Sequence, residues 1–290
     1  MKERLNLYKA YLSLTKPGIM IMVLVTTALG FYFADRGIPD PALLMWTLLG
    51  SALTCGGASA LNQYMERDVD ALMKRTKNRP IPRGVILPEN AFSFGITLIL
   101  TGLLVFCCKV NLLTAFLSLL TCFLYVLIYT PMKRLTWLNT SFGAIPGAIP
   151  PLGGWAAAAN HLDPGAWALF LIMFTWQHPH FYSIAWLLKD DYKKAGFKML
   201  PVVHPDAKFT LAQITAFSFL LTGFSLMPSM MGMSGHIYFW GALALGLVVL
   251  YTAFLFQNSQ SNADARKILG ASIMYLPMLL ILILADGLLS

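Results

Sequence analysis

The stretch Asn62-Gln63-Tyr64-Met65-Glu66-Arg67-Asp68-Val69-Asp70 sets oxygen-bearing side chains four residues apart. On a helix, which turns about 100° per residue, Asn62, Glu66 and Asp70 climb one face while Asp68 points away. Carboxylates at i and i+4 repel each other, so the stripe calls for a compensating positive charge. Mg²⁺ suits it, because that ion takes one or two carboxylates and completes its octahedron with water and phosphate oxygens. The plainer alternative pairs Glu66 and Asp70 with Lys74 and Arg67. A second acidic cluster, Asp190-Asp191-Tyr192-Lys193-Lys194, follows the segment Trp176-Gln177-His178-Pro179-His180-Phe181. Its adjacent acids cannot share one helix face, so one could ligate a metal while the other caps or pairs. Arg75, Arg79, Lys133 and Arg134 offer charge for an anion as dense as a diphosphate.

Such charges need elements to hold them. With 57% hydrophobic and only 12% charged residues, a chain of 290 residues has too little polar surface for a soluble globule. Apolar runs long enough to cross roughly 30 Å of hydrocarbon begin near positions 18, 42, 92, 112, 138, 165, 209, 236 and 268. Helices are required, since lipid-exposed strand edges would leave backbone groups unpaired. The expected architecture is an all-α integral membrane protein of nine transmembrane helices around a central cavity. Pro146, Pro150 and Pro151 interrupt the fifth run, predicting a kinked or broken helix that walls the cavity.

All but Arg36 and Lys109 of the 21 basic residues fall on one face if the N-terminus is cytoplasmic. That side collects Lys2, Arg4, Lys9, Lys16 and the basic residues around both acidic clusters. The reading is a single transmembrane domain, 1–290, with active-site loops 63–91 and 188–208 on the cytoplasmic face. The net charge of +8 then serves topology and attraction to the lipid bilayer, with no call for nucleic acid. The short polar lead lacks a cleavable signal, which favours a bacterial inner membrane. Cys55, Cys107, Cys108 and Cys122 lie inside apolar runs without metal-site spacing and read as packing residues.

The sequence resembles the UbiA-type intramembrane prenyltransferases and, within them, the haem O synthase branch. The likeness runs almost end to end, through Leu14-Thr15-Lys16-Pro17, the acidic stripe with its tail Arg75-Thr76-Lys77-Asn78-Arg79-Pro80, and Tyr129-Thr130-Pro131-Met132-Lys133-Arg134. It continues through Pro150-Pro151-Leu152-Gly153-Gly154-Trp155, Trp176-Gln177 with Pro179-His180-Phe181, and Met199-Leu200-Pro201-Val202-Val203. The resemblance implies that Asn62, Glu66 and Asp70 form a first Mg²⁺ and diphosphate motif, with Asp190 or Asp191 in a second. It makes Lys133 and Arg134 diphosphate ligands. Glu66 stands where the family usually has Asp, Gly18 where it usually has Arg, and Lys194 where the second motif would carry another acid.

The implied reaction joins a farnesyl group from farnesyl diphosphate to a vinyl group of protohaem IX (haem B), adds water, and gives haem O. Tyr129, Trp155, Trp176 and Phe181 are candidates to stabilise an allylic cation, and Gln177 falls in the same acceptor region. His180 lies eleven residues before Asp191, on one face if the helix is continuous, which makes it a candidate haem contact. Two rivals stay open: prenylation of a quinone precursor such as 4-hydroxybenzoate, and membrane transport. The resemblance leaves open a handover of product to a terminal oxidase or haem A synthase.

Overall fold

A computed structural model describes residues 2–35 and 37–289. Arg36 lies outside them, as do the side chains of Lys2 and Arg4. The described residues form helices joined by turns and contain no strand. The first half comprises α1 (Lys2–Leu14), α2 (Pro17–Asp35), α3 (Pro41–Asp70) and α4 (Pro88–Lys109). Next comes a single rod, made of α5 (Leu112–Phe123), a π-helical turn (Leu124–Tyr129) and α6 (Thr130–Leu135). The second half comprises α7 (Asn139–Ala159), α8 (Pro164–Leu187), short α9 (Lys189–Lys194) and α10 (Leu200–Val203), then α11 (Ala207–Met230), α12 (His236–Ser259) and α13 (Asn262–Leu289).

Local chemistry sets these boundaries. Proline, whose missing N–H is harmless in a first turn, opens α3, α4 and α8. Asp40 accepts from Leu43 N at 2.9 Å and Asn111 from Thr114 N at 2.8 Å, capping α3 and α5. The buried carboxylate of Asp286 accepts from Gly235 N and Tyr238 N, so α13 caps the start of α12.

Each long helix starts within a few residues of an apolar run, but by length and composition seven of the described helices are suited to crossing a membrane. These are α2, α3, α4, the Leu112–Leu135 rod, α11, α12 and α13. The other two long helices, α7 and α8, are diluted by proline, glycine, serine, histidine and glutamine. The loop boundary expected at residue 63 also moves: α3 continues to Asp70 because nothing in Gln63–Asp70 breaks a helix.

The predicted break in α7 does not occur. The helix runs unbroken through Pro146, Pro150 and Pro151, held in a packed bundle where neighbouring side chains add hydrogen bonds to other carbonyls of the row. Gln177 donates to Ala144 O at 3.0 Å and Asn111 to Ala156 O at 2.7 Å. Gly154 lets the backbones of α2 and α7 touch, since a Cβ there would strike Thr27 O and Phe31 N. Beyond α7 lies the main core, where Leu152, Trp155, Ile172, Leu221, Tyr238 and Tyr275 pack together.

Candidate active site

A cavity of about 360 Å³ opens between α2, α3, the Leu112–Leu135 rod, α7 and α8. That volume is within the range of small-molecule sites. Its deeper wall is mostly apolar or aromatic, including Val23, Phe106, Leu117, Ile149 and Phe181. Charge gathers at the other end, where α3 presents Asn62, Glu66 and Asp70 on one stripe, all three almost wholly buried.

Each member of the stripe meets a cation. Lys133 Nζ lies 2.7 Å from Glu66 Oε1, and Arg79 Nη1 lies 2.6 Å from Asp70 Oδ2. Lys16 Nζ donates to Asn62 Oδ1 at 2.6 Å. The Lys74 and Arg67 pairing is therefore not what the carboxylates use; Arg67 instead donates to Tyr64 O and sits over the Tyr64 ring. Arg79 reaches Asp70 because the chain folds back after α3, with Thr76 Oγ1 donating to Asp70 O at 2.8 Å. Arg75 adds a further cation to the lining, within 3.4 Å of the Tyr192 hydroxyl. Lys16 stands at the α1–α2 junction in the left-handed region, with φ 52°, a conformation that non-glycine residues seldom adopt. Burial, reinforced by the positive charges of Arg79 and Lys133, lowers its pKa to about 7. An anion placed among these cations would be strongly favoured.

The donor set suits a hard cation. Asp70 Oδ1 is buried and has no hydrogen-bond partner among the described residues, and such an atom is costly unless something ligates it. No cluster of three or more His, Cys, Asp or Glu side chains placed to hold a metal occurs among the described residues. Two carboxylates and an amide oxygen fit Mg²⁺, which needs no more from a protein when water and phosphate supply the rest.

A model of the UbiA prenyltransferase family matches residues 23–279. The chain belongs to the UbiA prenyltransferase family. It is 43% identical to the protoheme IX farnesyltransferase of Solibacter usitatus (strain Ellin6076), over 95% of this chain and 98% of that protein. It is 40% identical to that of Aquifex aeolicus (strain VF5), over 96% and 97%. Among solved structures, a UbiA homologue from Archaeoglobus fulgidus bound to GPP and Mg²⁺ shares the fold. Its TM-score is 0.67 at 18% identity, covering 94% of this chain and 99% of that one.

Of the residues singled out in the sequence of this UbiA family member, Asn62, Glu66, Asp70, Arg75, Arg79, Tyr129, Lys133, Gln177 and Phe181 all line the cavity. Others do not. Asp190 is exposed and Asp191 half-buried, and neither reaches the wall. On α9 it is Tyr192 that faces the cavity, and residues one and two positions earlier are turned away by about 100° and 200°. Arg134, next to Lys133, is turned outward for the same reason and is exposed. Trp155 is buried in the main core beside Gly165.

Trp176 and His180 stand on the side of α8 that packs against α13, where Trp176 Nε1 donates to Ser272 O at 2.7 Å and His180 Nδ1 lies 3.0 Å from Ser272 Oγ. Their rings stack at a centroid separation of 4.9 Å. The continuous helix that would align His180 with Asp191 is interrupted at Leu188, whose φ of −112° and ψ of 18° separate α8 from α9. His178 faces α7 and α11, bonded to Ser141 and stacked on Phe217.

Lys16, Tyr125 and Thr130 join the site without being clearly marked by charge or spacing in the sequence. The first two line the cavity, and Thr130 accepts from Asn62 Nδ2 at 3.0 Å. Two of them belong to motifs that were read, Leu14-Thr15-Lys16-Pro17 and Tyr129-Thr130-Pro131. Tyr125 carried one further signal, its position four residues before Tyr129 on the same wall.

Proposed function

We propose that this chain transfers a farnesyl group from farnesyl diphosphate to a vinyl group of protohaem IX, with addition of water, giving haem O and diphosphate. The observation that carries the reading is a carboxylate stripe and a cation cluster at one end of an otherwise apolar cavity. The Solibacter usitatus and Aquifex aeolicus relatives, similar along nearly their whole length, support the haem acceptor.

In this reading Asn62, Glu66 and Asp70 hold Mg²⁺, which when bound neutralises diphosphate charge and assists its departure. Arg75, Arg79 and Lys133 contact the diphosphate and stabilise the negative charge that develops as the allylic C–O bond breaks. The farnesyl chain occupies the apolar wall, where Val23, Phe106, Ile149 and Phe181 exclude water from the allylic cation. Tyr125 and Tyr129, their ring centroids 5.6 Å apart, turn aromatic surface toward that charge. The vinyl carbon attacks the cation, water adds to the resulting carbocation, and a proton leaves. Asp190, Asp191, Arg134, Trp155 and Trp176 stand off the cavity lining and are not needed for this account of it.

The reading keeps His180 as the acceptor's contact, on the side of α8 that packs against α13 and outside the cavity lining. Ser272 Oγ donates to Leu269 O at 2.8 Å, so it accepts from His180 Nδ1–H, leaving Nε2 with a lone pair for haem iron. Replacing His180 by Ala is expected to abolish transfer while leaving binding of the prenyl diphosphate intact; retained transfer would remove it from the site.

All nine long helices cross a bacterial inner membrane with the N-terminus cytoplasmic in this arrangement. The basic residues clustered at one end of the bundle support it, with Lys109 the exception, lying over Trp46 at the opposite ends of α4 and α3.

The deciding experiment is haem extraction and mass analysis from membranes expressing the chain, beside Glu66→Gln and Asp70→Asn. A farnesyl-plus-water gain in haem mass, reduced at least about a hundredfold in both variants, is expected. Unmodified haem together with a prenylated quinone precursor would overturn the acceptor.

A further inference from the structure

Lys133 faces Glu66 and Arg79 faces Asp70, so two of the cavity's cations are matched by carboxylates. Lys16 is not. Its hydrogen-bond partners, Asn62 Oδ1 at 2.6 Å and the Tyr125 hydroxyl at 3.4 Å, are both neutral. Yet it stands on the same wall as Glu66, Asp70 and Arg79. Lys16 is half-buried on the cavity wall, and a lysine drawn this far from solvent normally meets a carboxylate, because a charge left to neutral dipoles there is costly. The chain bears a second cost to put it there, in the left-handed backbone at φ 52°.

The partner's orientation is fixed as well. Thr130 Oγ1 gives its hydrogen to Tyr125 O at 2.9 Å, so it can only accept from Asn62 Nδ2 at 3.0 Å. Asn62 therefore turns its oxygen, with two lone pairs, toward Lys16 and the cavity. One lone pair is enough for the ammonium, and the other is free for a metal. The ammonium, with three donors, keeps at least one hydrogen for a further acceptor beside that metal position.

We propose that Lys16 is a further diphosphate-binding residue, its ammonium donating to a phosphate oxygen next to the Asn62 ligand. The assignment rests on the prenyl diphosphate reading above and deepens it: the diphosphate is gripped from the α1–α2 junction as well as from α6 and the turn after α3. Lys16 takes the place on the wall that the sequence offered to Arg134.

The test is isothermal titration of inorganic diphosphate into the full chain in detergent, with Mg²⁺ in excess, for the wild type, Lys16→Gln and Lys16→Arg. Lys16→Gln keeps a donor for Asn62 but removes the charge, and should weaken binding about tenfold to a hundredfold at an unchanged melting temperature. Lys16→Arg should recover most of the affinity. Wild-type affinity in Lys16→Gln would overturn the proposal alone, whereas a wild type that binds no diphosphate would overturn both it and the reading beneath it. Acylation of lysines in the wild type, followed by peptide mass analysis, gives a readout that needs no variant. Magnesium diphosphate should protect Lys16 and leave exposed Lys9 unaffected; equal labelling of Lys16 with and without diphosphate would count against the assignment.

Discussion

Asn62 is the stripe residue whose chemistry depends on a neighbour, since an amide can offer either oxygen or hydrogen to a metal site. Thr130 decides the matter by accepting from Nδ2 at 3.0 Å. In Thr130→Val the amide loses that anchor and samples the flipped orientation, while Thr130→Ser preserves it. Losing one such hydrogen bond is worth about 1 kcal/mol, so the Mg²⁺ concentration for half-maximal transfer should rise roughly fivefold in the valine variant and stay near wild type in the serine variant. Mn²⁺ binding measured by electron paramagnetic resonance gives the same comparison without turnover, and an unchanged metal requirement in Thr130→Val would remove the positioning role. The stripe itself was legible from spacing, because a run of helix-compatible residues puts i, i+4 and i+8 on one face. Its partners were not, since Lys16, Arg79 and Lys133 come from three separate elements.

Among the elements, α7 departs furthest from expectation. Three prolines promise a break, yet the helix stays continuous where it is packed: α2 lies against α7 at backbone distance, close enough that a Cβ on Gly30 would strike Pro151 O. Gly153 and Gly154 are neighbours with opposite roles. A Cβ on Gly153 meets nothing within 4 Å and faces the cavity, whereas one on Gly154 meets the α2 backbone. Gly154→Ala should therefore cost about 1–3 kcal/mol through overpacking and lower the melting temperature in detergent, while Gly153→Ala folds normally. Equal melting temperatures would mean that α2 and α7 separate without cost. The π-helical turn acts at the same scale. Its i→i+5 pattern brings the backbone N–H of Thr130 to the carbonyl of Tyr125, which the hydroxyl of Thr130 also reaches, and π-turns commonly occur where a side chain must be re-aimed.

For the whole molecule, the number of spans turns on α7 and α8. Length and composition single out seven of the described helices, yet α7 and α8 are 21 and 24 residues long and bury more than half of their residues. They can be less apolar because the other helices, more than the lipid, form their solvent. If both cross, the turn at 160–163 lies outside the cytoplasm and the turn at 136–138 inside it. Alkaline phosphatase inserted after Asn160 should be active, and inactive when inserted after Thr136. An inactive reporter at Asn160 would remove two spans from the arrangement.

Hydropathy alone determined that this is a helical membrane protein and, to within a few residues, where most of its long helices begin, because hydrocarbon leaves the backbone no other way to satisfy itself. Helical periodicity likewise determined the Asn62, Glu66 and Asp70 stripe, which is local. Only the tertiary structure decided which distant residues meet it. Lys16 arrives from the α1–α2 junction, Arg79 from a folded-back turn and Lys133 from the far end of the rod. Asp190, Asp191 and Arg134, equally suitable by residue type, are rotated off the wall by one or two steps of their helices. Charge and spacing are written along the chain, but the direction in which a side chain points after a turn or a helix break depends on packing among elements far apart in sequence.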